Sequence, residues 1–139
     1  MKTILNRQAT TYGGRNGTVK DMASEIELPL AKPEEMGGSP NKQTNPEELF
    51  SMGYSACFAS SIEYLLEQDE VSYEDITVRV EAALLAKGES GFEFAVTVYP
   101  RITGLGKDKE RSYVDRAYDF CPFSKAIRNN VRVTIEIER

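Results

Sequence analysis

Histidine is absent from the 139 residues, and cysteine occurs only twice, as Cys57 and Cys121. A structural zinc site needs about four Cys or His ligands, more than this chain can supply, so no metal is expected. The imidazole that most often activates a catalytic thiol is also missing. Any reactive cysteine must therefore take its activation from Arg or Lys. An excess of positive charge is lacking too: 17 Lys and Arg stand against 22 Asp and Glu, for a net charge of −5. Such a chain has no electrostatic footprint for nucleic acid or an anionic membrane. No apolar run approaches the roughly 20 residues of a membrane-spanning helix. The first residues, Met1-Lys2-Thr3-Ile4-Leu5-Asn6-Arg7, lack the apolar core of a signal peptide. The expected location is cytoplasmic, where thiols stay reduced and a permanent disulfide staple is out of place.

What is present reads as an ordinary globular protein, 40% apolar and 28% charged. The length suits one domain over 1–139 and suffices for a core without staples. Residues 3–30 read as strands. Ile26, Leu28 and Leu30 alternate with Glu25 and Glu27, and Gly13-Gly14-Arg15-Asn16-Gly17 is a turn by composition. Residues 31–44 carry two prolines and a Gly-Gly and read as a loop.

A long helix is expected from Asn45 to about Gln68. Asn45 is a natural N-cap, Pro46 suits the first helical position, and Glu48 falls where a capping-box carboxylate sits. Leu49, Phe50, Ala56, Cys57, Tyr64 and Leu65 recur at helical spacing. Alternating runs at Ile76–Leu84 and Phe92–Ile102, joined through Gly88–Gly91, predict a hairpin. A second helix is expected over about 107–120. Pro122 permits only a break or a fresh helix start, and Val131–Ile137 alternates as a last strand. The order predicts an α+β fold, with antiparallel sheets packed on a long central helix.

Composition alone leaves two readings of the cysteines: inert core residues, or a redox pair. Cys57 lies inside the long helix, several turns from its start. Gly53, Cys57 and Ser61 fall four apart on one stripe, which suits either tight packing on a sheet or a close helix–helix contact. Cys121 closes the second helix beside Pro122, as a buried helix-end residue or as a second thiol that must approach Cys57. Arg15 among glycines reads as a solvated turn residue, or as a side chain free to reach a ligand. Glu47 in the first helical turn complements the helix dipole. Gly104-Leu105-Gly106 is only a turn.

Three segments taken together, Thr44-Asn45-Pro46-Glu47-Glu48-Leu49-Phe50, Gly53-Tyr54-Ser55-Ala56-Cys57-Phe58 and Cys121-Pro122-Phe123-Ser124-Lys125-Ala126, resemble the organic hydroperoxide resistance proteins, Ohr, of the OsmC/Ohr superfamily. The Gly13–Gly17 turn matches as well, and the resemblance runs from about Gln8 to Glu138. It implies an intertwined α+β homodimer with the long helices at its centre. It also implies a cysteine-based organic hydroperoxide reductase, with Cys57 as peroxidatic thiol and Cys121 as resolving thiol. Arg15 would hold the Cys57 thiolate and polarise the peroxide, and Glu47 would pair with Arg15. The disulfide would be regenerated by dihydrolipoyl groups on a lipoylated protein, with no bound cofactor. Phe50, Tyr54, Phe58 and Phe123, the aromatics near the cysteines, suit a lipophilic substrate. Phe123 stands where the family often has tyrosine, and Ser51-Met52 replaces a smaller pair. Glu47 and Cys57 are ten residues apart, about 15 Å along a straight helix, so a partner subunit is expected to complete each site. Two other functions fit the same features: an OsmC-type peroxidase of broader specificity, and a thiol redox sensor without turnover. A third is a non-catalytic dimeric binding module with core cysteines.

Overall fold

A computed structural model describes residues 1–138 of the chain. They form two compact units, Met1–Leu49 and Phe50–Arg139. The first holds a three-stranded antiparallel sheet of β1 (Ala9–Tyr12), β2 (Thr18–Asp21) and β3 (Glu27–Pro29). The strands are shorter than the alternation suggested. Glu25 adopts a left-handed φ of 61°, which turns the chain just before Ile26, whose carbonyl still accepts from the Asp21 N–H at 2.9 Å and whose side chain is exposed. The turn between β1 and β2 depends on two glycines. Gly13 has φ +77°, and a Cβ on Gly17 would stand 1.9 Å from the Tyr12 carbonyl oxygen. The loop after β3 contains a single 3-10 turn at Glu34–Met36.

Helix α1 spans Pro46–Gln68. Its start follows the expected chemistry, since the Glu48 N–H donates to Asn45 Oδ1 at 2.9 Å. Glu48 does not close the capping box, because its carboxylate accepts instead from the Thr44 hydroxyl at 3.0 Å. The helix ends in a Schellman motif. Glu70 takes φ 55°, and the Val71 N–H reaches back to the Leu66 carbonyl at 2.9 Å.

In the second unit, the buried stripe of α1 is Tyr54, Phe58, Ser61, Ile62, Leu65 and Leu66, a 4-3-1-3-1 spacing that keeps one face of a helix inward. Ala56 and Tyr64, placed on the apolar face from sequence, are exposed. The stripe packs on β5 (Phe92–Thr103) through Val96, Val98 and Ile102. Each of the fully buried large side chains contributes about 1.5–3 kcal/mol by leaving water. β5 pairs antiparallel with β4 (Asp75–Ala86) in a long hairpin.

One pairing differs from the expected antiparallel sheet. β6 (Arg132–Ile135) lies parallel to β5, giving the order β4-β5-β6. The chain between them forms α2 (Lys107–Phe120) and α3 (Pro122–Ile127), and a helical crossover of this length is what a parallel neighbour needs. β6 stops at Ile135, short of the expected Ile137. The Glu136 N–H still reaches the Val98 carbonyl, but Pro100 has no N–H with which to continue the ladder. Among the described residues no helix is long and apolar enough to cross a membrane.

Candidate active site

Pro122 shapes the region around Cys121. The residue before a proline avoids the helical region, and Cys121 is extended at φ −60°, ψ 123°. It caps α2, its N–H donating to the Ala117 carbonyl at 2.8 Å. It also precedes α3, in which Pro122 occupies the first position. This break directs the Cys121 thiol at α1. Cys121 donates its S–H to Cys57 Sγ across 3.4 Å. Cys121 is buried, Cys57 half-buried, and both thiols are free. A disulfide bond of about 2.05 Å needs an approach of only about 1.4 Å more.

The stripe of small residues on α1 finds its partner here. A Cβ on Gly53 would lie 3.2 Å from the Phe123 ring, Cys57 faces Cys121, and Ser61 is buried with its hydroxyl on the Cys57 carbonyl. The close contact is therefore with the Cys121–Ser124 segment of the same chain. Burial is the largest influence on the Cys57 thiol and pushes its pKa above the ordinary value. A hydrogen bond from the Phe123 backbone N–H pulls it down, and the Cys121 thiol pushes it up again. That N–H escaped the reading of side chains. Its signal was present in Pro122, because a helix starting there has unpaired N–H groups in its first turn.

Phe50, Tyr54 and Phe58 form a row on α1, and Phe123 stacks on Tyr54 from α3. Phe50 meets Phe94 at 5.1 Å and Tyr54 edge-on at 5.9 Å. Tyr54 and Phe58 are fully buried, whereas Phe123 is 41% exposed. The Tyr54 hydroxyl is bound to Ser124 Oγ at 2.7 Å. Glu110, another unanticipated residue, is fully buried on α2. It accepts from Arg101 at 2.9 and 3.0 Å and from the Ile102 N–H at 2.9 Å, which moors α2 to β5.

Arg15 and Glu47 meet within the first unit. Arg15 Nη1 donates to Glu47 Oε2 at 2.8 Å, and Nη2 donates to Oε1, the two-pronged geometry in which guanidinium and carboxylate match best. The side chains retain 31% and 18% of their exposure. The hydrogen bond to Arg15 holds the Glu47 carboxyl below its usual pKa, against an upward push from burial. The neighbouring Asn16 fixes the turn by accepting the Lys32 N–H at 3.0 Å.

The family model for OsmC-like proteins matches residues 39–136. The chain is 35% identical to organic hydroperoxide resistance protein-like 2 of Staphylococcus epidermidis, covering 97% of this chain and 96% of that one. The crystal structure of the organic hydroperoxide resistance protein OsmC of Legionella pneumophila superposes with a TM-score of 0.94 at 38% identity, covering 99% and 100% of the two chains. That of OhrB of Bacillus subtilis gives 0.85 at 30% identity, covering 98% and 100%. The chain belongs to the OsmC/Ohr superfamily, and its similarity to organic hydroperoxide resistance proteins extends over nearly its whole length.

Proposed function

We propose that the protein is a cytoplasmic thiol peroxidase that reduces organic hydroperoxides to alcohols. The observation that carries this reading is the contact of the two reduced cysteines across 3.4 Å, joined to the names of the relatives, which are organic hydroperoxide resistance proteins. The Cys57 thiolate attacks the distal peroxide oxygen. The O–O bond breaks, Cys57 becomes a sulfenic acid, and the alkoxide leaves and takes a proton from water. Arg15 holds the thiolate and stabilises the charge developing on the leaving oxygen, with Glu47 fixing its guanidinium. Cys121 then attacks the sulfenic sulfur, forming the disulfide and releasing water before further oxidation. A dihydrolipoyl dithiol on a partner protein reduces the disulfide and is itself oxidised to the cyclic disulfide. Phe50, Tyr54, Phe58 and Phe123 favour lipophilic peroxides.

The working unit under this reading is a homodimer. Of the first 49 residues only Leu30 is buried, and a segment of that size cannot stand on one apolar anchor. A wound partner chain supplies the missing cover. The test is peroxide consumption with a dihydrolipoyl reductant. Cys57→Ser abolishes it. Cys121→Ser reacts once and then accumulates over-oxidised Cys57. Full activity in Cys57→Ser refutes the proposal, and oxidation of the wild type without turnover identifies a sensor instead.

A further inference from the structure

Tyr54 and Ser124 are both fully buried, and their hydroxyls share a 2.7 Å hydrogen bond. Each stands three residues from a cysteine, Tyr54 before Cys57 and Ser124 after Cys121. On α1 that spacing sets Tyr54 and Cys57 side by side on one face. The oxygen pair and the sulfur pair thus join the same two segments, α1 and the start of α3, at two separate points. One contact would define a distance, whereas two define a register. Phe123, which lies between Cys121 and Ser124 in sequence, stacks its ring on Tyr54 with centroids 6.2 Å apart and planes at 24°. Burial is the main cause that pushes the Tyr54 phenol up to about 12, so its O–H stays intact at physiological pH.

We propose that Tyr54 and Ser124 are positioning residues for the thiol pair: their hydrogen bond holds the start of α3 on α1 in the register that brings Cys121 Sγ to Cys57 Sγ. They thereby set how readily the dithiol closes. The inference rests on the reading of Cys57 and Cys121 as a redox pair, but not on peroxidase turnover. Without the bond, each hydroxyl is left to seek another partner in the core, and α3 shifts to satisfy it.

The experiment is a glutathione equilibrium on the full chain. Wild type, Ser124→Ala, Tyr54→Phe and the double variant are equilibrated in buffers of defined glutathione ratio. One glutathione disulfide oxidises the dithiol and yields two reduced glutathiones. The oxidised fraction, read by alkylation and mass, gives the effective concentration of one thiol for the other. Each single variant is expected to lose about tenfold, the fold-change equivalent to about 1.4 kcal/mol of hydrogen bonding. The double variant should lose no more than either single. Val98→Ala, which disturbs the core on β5, should leave the effective concentration unchanged although it lowers the melting temperature. Values within twofold of wild type in both singles overturn the proposal, as does a double variant whose loss is the product of the two. If one single variant does not fold, the other decides alone. Failure of the peroxidase reading shows itself separately, as a wild type that consumes no hydroperoxide.

Discussion

Cys121 donates its S–H to Cys57 across 3.4 Å, and this contact works against the acidity of the thiol it serves. A neighbouring thiol favours the neutral form of Cys57, and burial favours it more strongly. The Phe123 N–H is the opposing influence among the Cys57 surroundings described above. Within this cluster the stronger influences keep Cys57 neutral, so under the peroxidase reading the attacking thiolate needs a cation from outside it.

That need gives a prediction for Arg15. In Arg15→Ala, the pH at which Cys57 is half-alkylated by iodoacetamide should lie above the free-cysteine value of about 8.5. In the wild type it should lie lower than in the variant. The oxidation rate at pH 7 should fall by about 100-fold or more, in keeping with the loss of an electrostatic group at the reacting oxygen. Equal alkylation profiles in the two proteins would remove Arg15 from the mechanism.

The Arg15–Glu47 pair makes a second prediction, about acid. Glu47 has a folded pKa below its unfolded one, so ionised Glu47 stabilises the fold. That contribution is complete above the ordinary carboxylate value of about 4.3 and is lost as pH falls through the lower folded value. Glu47→Gln should therefore unfold at a lower denaturant concentration than wild type at pH 7, and the gap should narrow below about pH 4. A gap that stays constant down to pH 3 would assign the effect to packing.

A third concerns Glu110. Glu110→Ala strands Arg101 and the Ile102 N–H, both of which it now satisfies. A loss of about 1–3 kcal/mol is expected in urea unfolding, as for a buried donor left unpaired, since Arg101 keeps access to water. The thiols should also become easier to alkylate, because α2 ends at Cys121. A loss under 1 kcal/mol would show that Arg101 and Ile102 find other partners.

Local chemistry was legible where a residue type dictates backbone geometry. Asn45 and Pro46 marked the start of α1, Pro122 marked the break at Cys121, and the alternation in β4 and β5 carried over except at Phe92, which is exposed. Choices made between distant segments were not legible. Val131–Ile137 alternates equally well for a parallel or an antiparallel neighbour, and only the path of α2 and α3 selects the parallel one. Glu110 looked like any acid in a first helical turn, since nothing local announces that Arg101 will close over it. The Phe123 N–H carries no side-chain identity at all, and Tyr54 showed its ring but not the destination of its hydroxyl. Arg15, Glu47 and the two cysteines stand out as candidates only through the segments around them.

The parallel pairing of β5 and β6 has a consequence for the order of assembly. β6 can dock only after the chain has crossed from Lys107 to Ile127, and Cys121 lies on that crossing. One excursion of the chain therefore both delivers the second thiol and covers the open side of β5. A molecule caught before the excursion is complete has an unpaired strand rich in valine and phenylalanine, the kind of edge on which chains aggregate. Newly made chains in which Cys121 has not yet reached Cys57 are thus also the ones most exposed to loss by aggregation.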